Sequence, residues 1–134
     1  GLGINRTVCG LVVSGGDLFA GGNVSAGGGI GADCIAEWNG SASSPLGSGI
    51  SSTVNALAVS GSDLYAGGAF LHAGGIAANR IAKWNGSAWS PLGSGINSQV
   101  NALVVSGGDL FAVGNFTTAG GIAAKRTAKW NGSA

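Results

Sequence analysis

Ile81-Ala82-Lys83-Trp84-Asn85-Gly86-Ser87-Ala88 alternates in polarity, runs into Asn-Gly, and occurs three times in the chain. The other copies run from Ile35 to Ala42 and from Thr127 to Ala134. Trp38, Trp84 and Trp130 mark them, spaced 46 residues apart both times. Asn-Gly after an alternating run signals a hairpin, because a type I′ turn needs positive φ at both central residues. The sequence therefore predicts that Asn39-Gly40, Asn85-Gly86 and Asn131-Gly132 form I′ turns. A fixed period of this length marks a repeat architecture.

The repeat reaches well beyond this stretch. From Leu46 to Ala88, 32 of 43 positions are identical to those from Leu92 to Ala134. Each unit reads as four strands. The first spans 54–61, with copies at 8–15 and 100–107, and is apolar on both faces, as in a strand buried on both sides. A tight turn leads to the second strand, 63–70, with copies at 17–24 and 109–116. A Gly-rich connection follows, here Ala73 to Ala78. The third strand runs from Arg80 to Trp84 and the fourth from Ser87 to Leu92. No segment has the 3.6-residue apolar period of a helix. Four short antiparallel strands per 46 residues are the pattern of a propeller blade. The fold expected is all-β, a β-propeller segment of three four-stranded antiparallel blades: 1–45, 46–91 and 92–134. Ala56 and Ala58 suit first strands that crowd together, and Gly67-Gly68 suits close approach of neighbouring blades.

The strand LYAGGAF (64–70), the Gly-rich connection, IAKWNG (81–86) and Trp89 four residues beyond Asn85 resemble kelch-type blades. They are more similar still to propeller repeats of bacterial secreted proteins and of the fungal cortical marker of cell polarity. The resemblance covers all 134 residues, best from Asp63 to Gly95. It implies a propeller scaffold for surface or protein interactions, with no shared catalytic activity. Three departures stand out: Ser43 in place of Trp89, Val113 where the other units have glycine, and Val24 in place of Phe70 and Phe116.

Charged residues make up 8% of the chain, against roughly 25% in ordinary soluble domains. The net charge of +1 is small and scattered, which argues against nucleic acid as a partner. No apolar run approaches the length of a membrane helix, so no membrane insertion is expected. Low charge with abundant Gly, Ser, Asn and Thr suits an extracellular or cell-surface protein. There Cys9 and Cys34 could pair. They open strands separated by a third strand, about 9–10 Å apart, beyond the reach of a disulfide. Unpaired thiols are the favoured reading.

No catalytic, metal or cofactor set assembles from the sequence. His72 is the only histidine and is placed in a loop without a second ligand. Asp17, Asp63 and Asp109 recur at one hairpin corner without calcium-loop spacing, so turn chemistry explains them. No paired carboxylates are evident. Six Asn-x-Ser/Thr sequons, at Asn5, Asn23, Asn39, Asn85, Asn115 and Asn131, are glycosylation candidates or by-products of turn chemistry.

The chain thus reads as a non-enzymatic structural or interaction module. The alternative is an oligomeric carbohydrate-binding propeller. In that case Trp89 is the exposed candidate for stacking on a sugar, while Trp38, Trp84 and Trp130 with Gly40, Gly86 and Gly132 are structural repeat positions. Propellers typically close with 4–8 blades. Self-association is therefore expected, as a head-to-tail dimer of six blades or a filament, unless adjoining repeats of a longer chain supply the rest. The segment matching Trp89 to Leu92 is missing after Ala134, which places the expected junction inside a fourth strand.

Overall fold

The computed structural model describes residues 8–14, 16–22, 26–27, 30–31, 35–38, 43–45, 50, 53–60, 63–74, 76–86, 88–92, 95–106, 109–119, 122–123 and 127–130. All regular structure among them is β. The first unit contributes β1 (Val8–Ser14), β2 (Asp17–Gly22), β3 (Ala26–Gly27), β4 (Ile30–Gly31), β5 (Ile35–Trp38) and β6 (Ser43–Pro45). The second contributes β7 (Val54–Ser60), β8 (Asp63–Gly68), β9 (His72–Ala73), β10 (Ile76–Ala77), β11 (Ile81–Trp84) and β12 (Trp89–Pro91). The third contributes β13 (Val100–Ser106), β14 (Asp109–Gly114), β15 (Thr118–Ala119), β16 (Ile122–Ala123) and β17 (Thr127–Trp130).

Each unit builds one antiparallel sheet, ordered β1-β2-β5-β6, β7-β8-β11-β12 and β13-β14-β17. The register repeats: Leu18, Leu64 and Leu110 stand opposite Trp38, Trp84 and Trp130. The strand boundaries expected from sequence hold to within a few residues. One feature differs. The Gly-rich connections form two-residue ribbons, β3-β4, β9-β10 and β15-β16. His72 is thus an exposed strand residue of such a ribbon, not a loop residue. Isolated bridges from Ile50 to Ala73 and from Ile96 to Ala119 tie the inter-unit linkers to the ribbons.

The sheets pack face to face. One apolar cluster joins Phe19 and Ile35 of the first sheet to Val54, Leu57, Leu64 and Ala66 of the second. Another joins Ala56, Ala58 and Tyr65 of the second to Val100, Leu103, Leu110 and Ala112 of the third. Strand β7 lies between β1 and β13. It alone among the first strands is covered on both faces, which corrects the expectation for its copies. Leu11 and Val13 of β1 are 59% and 69% exposed, and Val104 of β13 is 59% exposed. Their sheets have a neighbour on one side only.

Each first strand carries a bulge at the same place, between Val8 and Gly10, Val54 and Ala56, and Val100 and Ala102. A bulge leaves its extra residue outside the ladder and re-aims it. In β7 that residue is Asn55, whose Nδ2 donates to the Val100 carbonyl of the next unit at 2.9 Å. Arg80 makes a second tie, from Nη1 to the Ile96 carbonyl at 3.1 Å. Its φ of 65° lifts it out of the third strand, which begins at Ile81.

The Asn85-Gly86 turn is not type I′. Gly86 has a φ of 102°, but Asn85 is not in the left-handed region. The side chain explains the difference: Asn85 Oδ1 accepts the Ala88 N–H at 2.9 Å, while Asn85 N donates to the Ala88 carbonyl at 3.2 Å. The amide closes the loop from outside the tip, and among the described residues of the loop glycine carries the left-handed bend. Asn39, Gly40, Asn131 and Gly132 lie outside the described residues. A Cβ at Gly86 would meet nothing within 4 Å, so a substitution there is opposed by backbone conformation alone. Gly86→Val is expected to cost about 1–2 kcal/mol. Gly86→Asn should cost less, because asparagine tolerates that region. Equal thermal melts for the wild type and the valine variant would remove this explanation.

Candidate functional site

A cleft of about 200 Å³ opens between the first two sheets, at the end where their second strands begin. Asp17, Phe19 and Glu37 line it from the first sheet. Val59, Asp63, Leu64, Trp84 and Gly86 line it from the second. Sheet register assembles its polar part. Lys83 is paired with Tyr65 and so stands diagonally from Asp63, two residues earlier on β8. Diagonal neighbours on one face are within reach of long side chains. The Lys83 Nζ to Asp63 Oδ2 distance is 4.0 Å. In the first unit the same register pairs Glu37 with Phe19, diagonal to Asp17. A carboxyl group thus meets a carboxyl group where the second unit has an ion pair.

Asp17 and Glu37 are a carboxyl pair that the sequence did not reveal, because their relation depends on register. Burial, then a hydrogen bond to Asp17, then the Asp17 charge push the Glu37 carboxyl above the usual carboxylate range. The folded chain therefore holds a proton on Glu37 at pH values where the unfolded chain has lost it. The stability this provides is fully present below the unfolded pKa and is lost as pH rises through the folded one. Glu37→Lys, which restores the pairing seen at Lys83, removes this pH dependence. The variant is expected to gain about 0.2–1 kcal/mol over wild type at neutral pH, and less in mild acid. A stability difference that stays flat from acid to neutral pH would contradict the assignment.

Chemically, the cleft offers carboxylate acceptors beside the indole of Trp84. Among the described residues, no three His, Cys, Asp or Glu side chains are grouped to hold a metal ion. No helix among them is long and apolar enough to cross a membrane.

Trp89 is not the exposed platform expected of it. It is 6% exposed. Its ring centroid lies 5.3 Å from that of Trp84, tilted by 52°. The ribbon β9-β10 covers it: Gly74, at φ 60°, sits so close that a Cβ there would stand 2.8 Å from Trp89 Cδ1. Trp84 and Trp130 are partly buried against the first and second apolar clusters, as structural repeat positions. Trp38 is likewise half-buried. Asn85 and Asn115 are exposed, which suits a glycan acceptor. Asn5 and Asn23 lie outside the described residues, as do Asn39 and Asn131. So does Cys34, and with it the question of a Cys9–Cys34 bond.

The glycines have separate roles that sequence reasoning merged. Gly67 faces the next sheet, against Val100 and Leu103. Gly68 faces its own unit, where a Cβ would come 3.0 Å from Val54 Cα. Asn55 was missed altogether. A signal existed, since Asn55 and Asn101 share a repeat position that Cys9 fills in the first unit, but its meaning depends on the bulge. Compared with known proteins, the chain matches no family model and no curated sequence.

Proposed function

We propose that this chain is a segment of a kelch-like β-propeller that acts as a non-enzymatic structural or interaction module, outside the cell or at its surface. One observation carries this reading: consecutive units are joined twice by the same interface. Gly21 receives Val54 and Leu57, and Gly67 receives Val100 and Leu103, with matching distances. The Asn55 amide and the Arg80 guanidinium add polar ties from the second unit to carbonyls of the third. Such a stack leaves an apolar sheet face at each end, and exposed faces of this kind mark association sites. Adjoining repeats of a longer chain, or a second copy arranged head to tail as a six-bladed ring or a filament, would cover them.

A carbohydrate-binding propeller is the second reading, favoured by the cleft where Trp84 stands beside Asp17, Glu37 and Asp63. Trp84 takes the stacking role there, since Trp89 is buried. A glycan array followed by titration calorimetry separates the two. The scaffold predicts silence across simple sugars. Sugar binding that disappears in Trp84→Ala would replace it with the lectin.

A further inference from the structure

The two joints between sheets differ in one charge. Lys83 follows Ile81 by two residues on β11, so it stands on the face that packs against the third sheet, where Ile81 and Tyr65 belong to the second apolar cluster. There its Nζ lies 4.0 Å from Asp63 Oδ2. Trp130 of the third unit packs against the same cluster. By the repeat, Lys83, Asp63 and Trp130 hold the positions that Glu37, Asp17 and Trp84 hold at the first joint. The first joint therefore keeps the carboxylate and the indole but has an acid in place of the ammonium. None of the residues that line its cleft is basic.

The cleft is more than a pair of acids. It encloses about 200 Å³, and Phe19, Val59 and Leu64 give it apolar walls against which an alkyl stem can lie. Trp84 adds an indole, whose face attracts cations. Asp63, also on the lining, already meets an ammonium, that of Lys83 on the opposite face of its sheet. Asp17 and Glu37 relieve their own repulsion by retaining a proton, since burial first and Asp17 second raise the Glu37 carboxyl. An ammonium that donates to both groups takes the place of that proton. Among the described residues no three donors are grouped for a metal ion, whereas two carboxyl groups beside apolar walls suit a cation that carries a carbon stem.

We infer that this cleft docks a primary ammonium group on an alkyl stem, presented as a lysine side chain by a partner protein. The ammonium donates to Asp17 and Glu37 beside Trp84, and the stem lies against Phe19, Val59 and Leu64. The partner thus supplies at the first joint what Lys83 supplies at the second. An amino sugar offers the same ammonium, but its hydroxyls would lose water against apolar walls that cannot hydrogen-bond them. This inference rests on the interaction-module reading and names the chemistry of the partner at this cleft.

Titration of the whole chain with butylammonium, followed by NMR of the backbone and indole N–H groups, tests it. Saturable shifts centred on the cleft are expected, with Nα-acetyl-lysine amide moving the same signals and n-butanol moving none. Glu37→Lys places an ammonium in the cleft from the chain itself, and should fold at least as well as wild type while losing affinity about tenfold or more. Glu37→Gln, which keeps the shape and removes the charge, should also bind more weakly. Affinity should rise with pH through the carboxylate range, because Asp17 and Glu37 must ionise while Asp63 stays paired with Lys83. Equal shifts from butanol and butylammonium would show an apolar pocket only and overturn the inference. So would affinity unchanged in both Glu37 variants, or the absence of any saturable shift. Binding of glucosamine without the lysine amide would overturn the protein partner in favour of an amino sugar. The module reading fails separately, if Gly67 and Val100 prove uncoupled in stability.

Discussion

Phe70→Ala is expected to lower the unfolding free energy by about 3–5 kcal/mol, the range for emptying a buried phenylalanine site. Phe70 is 0% exposed and lies in the first apolar cluster with Ile50, Ala73 and Ala78. It lies two residues beyond the end of β8, and its carbonyl accepts the Arg80 N–H at 2.8 Å. Three parts of the unit meet at this ring: the main sheet, the ribbon and the incoming linker. Collapse around the cavity would have to move all three, so relaxation offsets little of the loss. Marginal stability makes such a loss a large share of the total. Denaturant titration measures it, and a loss below about 1 kcal/mol would mean that the ring does not anchor these parts.

The second large effect concerns the interface itself. Gly67→Val puts into the second unit the residue that the third unit carries at Val113. In the third unit that position is exposed, whereas in the second it faces Val100 and Leu103. Overpacking of this kind typically costs about 1–3 kcal/mol. The upper end is expected here, because the neighbours are branched side chains held on a strand. The third sheet should then separate from the second before global unfolding. Hydrogen exchange would show this as early loss of protection in β13 and β14, with β1 and β2 unaffected. Uniform loss across all three sheets would contradict it.

Most strand positions were legible because two signals agreed, the 46-residue period and the alternation within each run. Information that depends on a third dimension was not. The turn at Asn85-Gly86 was misread because the asparagine side chain, not its backbone, closes the loop. Trp89 is covered by the ribbon β9-β10, which the sequence shows only as a Gly-rich connection. The Asp17–Glu37 pair needed the strand register, since the two residues lie 20 positions apart in sequence. Val113 was visible as a departure from the repeat, but only the Gly21 and Gly67 contacts give it a meaning.

The joint between units, in which Gly67 receives Val100, is tested most directly by a double-mutant cycle on Gly67→Ala and Val100→Ala, read by denaturant unfolding. Each single change is destabilising, the first by overpacking and the second by leaving a cavity. In the double variant the added methyl occupies the space that the valine methyls vacate. Residues in contact show coupling energies of about 0.5–3 kcal/mol, so the double variant should be more stable than the sum of the two losses by an amount in that range. Strict additivity would mean that Gly67 does not receive Val100, and the joint between units would have to be sought elsewhere.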